Sequence, residues 1–308
     1  MKPGWVAGVT RARLLLSRTI GTEHARAVAG SSSLAEGVGT LAGSAYGERV
    51  QAGADLIAAQ RGVAETLLWH LRILAGWLPA AGAGLMRALA GWFELQNIDE
   101  RLAALAADGR ERPPFALGGL ATAWPRVEPV RTVEGVAEAL ASSPWGRTDG
   151  RSPAELALGL RASWARRVLE AAPAAADWVF GAVALLLARE LLVAGSRGHE
   201  AQLQRLPAVG EGTLHATSIS ELQGALPEHA VWALAGVREP EELWRAELEW
   251  WSRVEDDAGA LLRRQRDEDV VLAAVALLAV DAERTGRALE AAAYGGDPEL
   301  VGLIGGAG

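Results

Sequence analysis

Five histidines, His24, His70, His199, His215 and His229, are the side chains best suited to proton transfer or metal binding in this chain. No two of them stand four residues apart, so the helical zinc-protease arrangement is absent. One carboxylate cluster is Glu255, Asp256 and Asp257 followed by Asp267, Glu268 and Asp269. Such a group could hold magnesium in a helical enzyme acting on diphosphates, but one turn beyond Asp256 and Asp257 stand Ala260 and Leu261 instead of a third ligand. Solvated helix ends are the reading that spacing favours. Gly37, Gly39 and Ala42 imitate a dinucleotide fingerprint, yet nothing before them reads as a strand. There is no phosphate-cradling GxxxxGK[ST] and no G-x-S-x-G elbow, and without cysteine there is no thiolate nucleophile, thiolate metal site or disulfide. The expectation is a protein with no active site, no metal and no cofactor.

The elements that would have to carry any site are helices. Half of the 308 residues are hydrophobic, dominated by Ala and Leu, whereas Phe and Tyr together number five. Helix formers are abundant and strand formers scarce. Thirty-six glycines make many of those helices marginal alone and dependent on packing. With a net charge of −8 and both signs interspersed, no basic stripe is available to neutralise a phosphate backbone, so nucleic acid is not an expected partner. Residues 1–13 lack a secretory pattern. The apolar runs Val179–Leu187 and Val270–Val280 are too short to span a bilayer, and the longer stretch from Leu67 to Phe93 is broken by His70, Arg72, Pro79 and Arg87. Buried helices and a cytoplasmic location follow as expectations.

A short pattern recurs three times. It reads LAEGVGTLAGSAYG from Leu34, VEGVAEALASSPWG from Val133 and ISELQGALPEHAVW from Ile219. In each copy an apolar residue is followed seven places later by Leu (Leu41, Leu140, Leu226), which predicts a short helix with one apolar edge. An aromatic plug comes next, Tyr46, Trp145 or Trp232, and Ser33, Thr132 and Ser218 or Ser220 stand in front as N-caps. Each copy is followed by a longer Arg- and Ala-rich helix. A third, apolar helix then runs over 85–108, 174–194 or 268–294 and ends before Gly109, Gly195 or Gly295. Residues 112–129 and 195–217 read as connections. Three helical lobes result, over residues 9–111, 112–216 and 217–296. Trp244, Trp250 and Trp251 stand at near-helical spacing as core residues or as part of an exposed apolar rim.

These residues resemble the C-type central-stalk subunits of the A/V-type rotary ATPases, homologues of the d-type component of the eukaryotic vacuolar enzyme. RARLLLSRTIG from Arg11 and the Ser-Ala-Tyr-Gly close at Gly47 are similar to the family's opening helix. Glu94-Leu95-Gln96-Asn97-Ile98, followed by Leu105 and Gly109, is similar to its acidic-apolar-x-Asn-apolar segment. Val271–Gly295, with Asp281, Glu283 and Arg287, resembles its terminal helix. The middle lobe departs, with Leu186–Leu191 where relatives carry an acidic residue and Asn, and Val280 replaces a common Lys.

The resemblance implies an all-α fold of three similar lobes around a pseudo-three-fold axis, forming a funnel. It implies a non-catalytic central-stalk subunit, a socket that receives the rotor axle and sits on the membrane proteolipid ring, with indirect membrane contact and a place in ion transport linked to ATP hydrolysis or synthesis. Glu94, Asn97, Arg189, Glu190, Asp281, Glu283 and Arg287 are then candidates for axle or ring contact. Alternatively Glu94 and Asn97 satisfy backbone groups between lobes, and Asp281, Glu283 and Arg287 form the polar face of an amphipathic helix. Two other functions stay open: a helical metal-dependent enzyme on an isoprenoid-type substrate, and a helical scaffold unrelated to rotary motors.

Overall fold

The computed structural model describes residues 2–107, 112–148, 150–195, 198–210, 212–264 and 266–295. Among them are fourteen α-helices and no strand. In chain order these are α1 (Val6–Leu16), α2 (Gly21–Ala29), α3 (Leu34–Thr40), α4 (Leu56–Trp77), α5 (Ala80–Ala107), α6 (Trp124–Val127) and α7 (Val133–Ala141). They continue as α8 (Pro153–Ala171), α9 (Ala176–Ala188), α10 (Glu200–Leu203), α11 (Ile219–Ala225), α12 (Glu228–Val231), α13 (Leu243–Arg264) and α14 (Asp267–Tyr294). The chain divides into two compact units, one made of the residues up to Ala83 together with those from Trp251 onward, the other of Gly84–Trp250. None of the described helices is long and apolar enough to cross a membrane.

The three short helices predicted from the repeat are α3, α7 and α11, and their caps explain where they begin. Ser33 Oγ accepts the Glu36 N–H (3.3 Å), Thr132 Oγ1 that of Gly135 (3.1 Å) and Ser218 Oγ that of Glu221 (3.2 Å), so Ser218 rather than Ser220 is the third cap. Glu36 accepts the Ser32 hydroxyl and backbone N–H, and Glu221 accepts the Thr217 backbone N–H and hydroxyl; those hydrogen bonds hold both carboxyls below the usual range. Leu41 and Leu140 are fully buried at or near the ends of their helices. Gly195 and Gly295 adopt left-handed φ values of 64° and 69° just past the third helices, as C′ positions require. Asp108 and Gly109 lie outside the described residues. The stretches read as connections carry α6 and α10 and further single turns; α6 packs against α7, and α10 against α8.

In the unit that joins both ends of the chain, α14 is the central element. It packs against α1, α2, α3 and α4 and buries seventeen of its residues. That surrounding explains the unbroken apolar run from Val270 to Val280: a helix covered on several sides cannot afford a polar stripe. A buried cluster of Ala25, Val28, Val38, Leu41, Tyr46, Val63 and Leu289 fills the space between α14 and its neighbours. In the other unit, one cluster gathers Leu95, Ile98 and Leu102 of α5 with Val136, Leu140, Trp145, Leu156 and Leu160. A second gathers Val183, Ala184 and Leu187 of α9 with Ile219, Leu222, Leu234 and Leu243.

His70 on α4 is 4% exposed. Burial, aided by the charges of Arg18 and Arg49, lowers its pKa from 6.5 to about 4. A depressed folded-state pKa contributes stability that is complete above 6.5 and lost as pH falls toward 4. The shift corresponds to roughly 3 kcal/mol. Denaturant midpoints measured between pH 7 and pH 4 are expected to fall steeply in the native protein and more shallowly in His70→Leu. Equal slopes would remove His70 as the cause.

Candidate functional site

Three of the seven polar side chains singled out in the sequence, Glu94, Asn97 and Asp281, are drawn into a recurring joint. Glu94 and Asp281 each occupy the fifteenth residue of a 28-residue helix, α5 and α14 respectively. Both are nearly fully buried, at 1% and 2% exposure. A buried carboxylate is tolerated only when donors surround it, and here the donors come from the start of the next copy of the repeat.

Glu94 Oε1 accepts the backbone N–H groups of Thr122 (2.7 Å), Ala123 (2.7 Å) and Trp124 (2.8 Å). Its Oε2 accepts the Thr122 hydroxyl (2.5 Å) and the indole N–H of the plug Trp145 (2.9 Å). The carboxylate thus sits at the N-terminus of α6 and against the plug together. One turn further along α5, Asn97 pins Phe115 through both of its backbone groups, Nδ2 donating to the carbonyl (3.0 Å) and Oδ1 accepting the N–H (2.7 Å). Arg167 lies over the Trp145 ring, 4.7 Å from its centroid, and burial lowers its pKa against the opposing field of Glu94.

The same construction appears at Asp281. Its Oδ2 accepts the Ile20 N–H (3.1 Å) and Oδ1 that of Gly21 (2.9 Å), at the start of α2. The plug Tyr46 donates its hydroxyl to Oδ2 (2.7 Å). Burial, then the neighbouring carboxylate, raises the Tyr46 phenol well above its ordinary value, so it remains a donor throughout the physiological range. Buried Arg284 closes this group by pairing with Glu255 of α13 (2.7 Å). The turns before the plugs also match. Ser44 donates to the Leu41 carbonyl and accepts the Tyr46 N–H, and Ser143 does the same between Leu140 and Trp145.

The third joint keeps the geometry and loses the charge. Trp164 of α8 donates its indole N–H to the Ala88 carbonyl on α5, and Trp250 of α13 donates to the Trp178 carbonyl near the start of α9 (both 2.9 Å). Three residues after each carbonyl is a glycine, Gly91 or Gly181, on which the same tryptophan and the plug converge. A Cβ on Gly91 would lie 2.8 Å from Trp164, and one on Gly181 would lie 2.5 Å from Trp232 and 3.0 Å from Trp250. This register sets Ala184 level with Glu94, and Leu187 level with Asn97. The middle lobe's departure from the acidic-and-Asn pattern is therefore a joint packed by apolar atoms and tryptophan faces.

The remaining candidates lie outside the joints. Arg189 opens a π-helical turn (Arg189–Val193) at the end of α9 and pairs with Glu247 of α13 at 2.5 Å, with Glu190 following in the same turn. Glu283 and Arg287 pair with each other along α14 at 2.9 Å, half-buried. Of the carboxylates a magnesium-dependent enzyme would use, Asp257 pairs with Arg253, while Asp267 is buried and accepts the Lys2 backbone N–H. Among the described residues no three His, Asp or Glu side chains gather as metal ligands, so the convergence that reading requires is not formed there.

Sequence reasoning identified the carboxylates and the plugs but not that they meet. The available signal was the shared position of Glu94 and Asp281 in helices of equal length. No protein-family model matches the chain, and no curated protein matches it in sequence.

Glu94→Ala would orphan three backbone N–H groups and leave the Trp145 indole only the Thr122 hydroxyl as acceptor, at a cost on the order of 3–5 kcal/mol in chemical denaturation. In the other joint, Tyr46→Phe and Asp281→Ala should be strongly non-additive, with a coupling above about 1 kcal/mol. Additive effects would mean that the Tyr46–Asp281 bond contributes nothing.

Proposed function

We propose that this chain is a non-catalytic central-stalk subunit of an A/V-type ATPase, a socket that couples the rotor axle to the membrane proteolipid ring. In this reading the three repeats form a funnel of three lobes around a pseudo-three-fold axis, and ion transport and ATP chemistry belong to other subunits. The observation that carries it is the cyclic order of the joints. The last helix of the first copy, α5, holds the start of the second; α9 of the second holds the third; and α14 of the third holds the first. A chain of repeats that closes on itself leaves no unpaired terminal repeat, unlike an open solenoid. A torque-transmitting socket needs that closure, and stiffness, more than a perturbed acid or base.

The division of labour among the candidate residues follows from their surroundings. Glu94, Asn97 and Asp281 are consumed by internal hydrogen bonds and serve to keep the socket rigid. Contact with axle or ring falls to the more accessible Arg189, Glu190, Glu283 and Arg287.

Native mass measurement or pull-down with the axle and ring subunits encoded beside this chain tests the proposal at low salt, where charged contacts are strongest. Stable binding to both is expected, and failure to bind either overturns the reading. In the assembled complex, charge reversal at Glu283 or Arg287 should reduce the ion transport driven per ATP hydrolysed. Unchanged coupling in both variants would exclude these two residues from the contact.

A further inference from the structure

We propose that the outer face of α1 and the last turns of α4, where Val6, Leu14 and Trp77 stand among Arg13, Arg18 and Arg72, rests directly on a membrane surface rich in anionic lipid headgroups. This contact is independent of the socket reading, in which membrane contact runs through the ring, and it involves only the unit built on α14. Hydrogen bonds fix how the helices run there. Lys2 and Ile20, at the two ends of α1, donate their N–H groups to Asp267 (2.6 Å) and Asp281 (3.1 Å), so α1 runs parallel to the first half of α14. Gln60, near the start of α4, donates to the Gly286 carbonyl (3.3 Å), and the end of α4 meets α1. A Cβ on Gly8 would lie 2.3 Å from Leu78 and 3.1 Å from the Trp77 carbonyl, and one on Gly82 would lie 3.1 Å from Trp5. α4 therefore lies antiparallel to α1, and at about 1.5 Å of rise per residue Leu14 comes level with Arg72.

Both helices pack on α14 and on each other, so their exposed sides make the outer face of one layer. α1 buries Val9, Ala12 and Leu15 and turns Val6, Arg13 and Leu14 outward, while the end of α4 buries Leu71 and Leu74 and turns Arg72 and Trp77 outward. Val6, Leu14 and Trp77 are 44%, 57% and 54% exposed, so three large apolar side chains stand open on one face. Charge indicates what covers them. The chain carries a net charge of −8, yet residues 1–22 hold Lys2, Arg11, Arg13 and Arg18 and no acid, and residues 66–93 hold Arg72 and Arg87 and no acid. Arg13, Arg18 and Arg72 are exposed and meet no carboxylate among the described residues. The carboxylates at the borders of the face are occupied, Glu65 by Arg61 (3.1 Å) and Glu268 by Lys2 (2.5 Å). A protein partner would call for an apolar centre with charges at its rim, whereas here arginines and apolar side chains alternate. Such a mixture suits the headgroup layer of a bilayer, where guanidinium groups meet lipid phosphates while Leu and Trp enter just beneath.

Flotation of the full chain with lipid vesicles tests this. Binding is expected to vesicles of phosphatidylglycerol mixed with phosphatidylcholine, to weaken as salt rises, and to be absent with phosphatidylcholine alone. Removing two cations in an Arg13→Gln/Arg72→Gln variant should weaken it roughly 30-fold. A Leu14→Ser/Trp77→Ser variant should weaken it about tenfold or more. Ile57, at the other end of α4, is 55% exposed, and Ile57→Ser should bind as the native chain does. All five positions are exposed, so the melting temperatures should stay close to native. No binding to the anionic vesicles, equal binding to phosphatidylcholine alone, or binding that every variant keeps overturns the proposal. Self-association that Leu14→Ser/Trp77→Ser abolishes, without vesicle binding, would assign the face to a second copy of the chain and overturn it as well.

Discussion

The packing of this chain depends on where two buried carboxylates find their donors. A charge in an apolar interior is costly unless every lone pair is met. Glu94 and Asp281 meet theirs with backbone N–H groups and an aromatic side chain from another segment of the chain. Each joint therefore does two things together. It satisfies the exposed N–H groups at the beginning of a helix, and it fixes the register between that helix and the long one it crosses, because a slip of one residue would strand both the carboxylate and its donors. Apolar packing alone, with so much Ala and Leu, would admit several registers of similar energy.

The third joint shows what happens when the charge is absent. Ala184 stands level with Glu94, and specificity passes to Gly181, where the faces of Trp232 and Trp250 occupy the space a Cβ would fill. Hydrogen bonding is directional and tolerates little displacement, whereas an aromatic pair over a glycine specifies position through shape. The Glu94 joint and the middle joint both keep the indole-to-carbonyl bond from the following long helix. The middle helix also ends in a π-turn at Arg189–Val193 instead of continuing as α5 and α14 do. It is the most divergent of the three.

Cyclic order of joints, burial of the repeat's acidic residues and pairing of the remaining charges give a coherent physical basis for the proposed socket. A part that transmits force gains from interactions that are short, directional and dry. Those interactions leave their residues unavailable to a partner, which is why polar groups on apolar helices are poor guides to contact surfaces here. Glu283 with Arg287 and Arg189 with Glu247 are neutralised in place but remain accessible enough to exchange partners at modest cost.

The sequence by itself determined the all-helical class, the three short helices with their Ser and Thr caps, the break at Pro79 between α4 and α5, and the terminating glycines Gly195 and Gly295. All of these are set by local rules: propensity, capping and the left-handed conformation that glycine accepts within a few residues of chain. It also marked Tyr46, Trp145 and Trp232 as plugs and Glu94 and Asp281 as notable acids. Only the tertiary structure decided that Tyr46 meets Asp281 across 235 residues, that Asn97 holds Phe115, and that the two ends of the chain form one unit. No periodicity encodes such pairings, because they depend on which donors remain unsatisfied once the helices have packed.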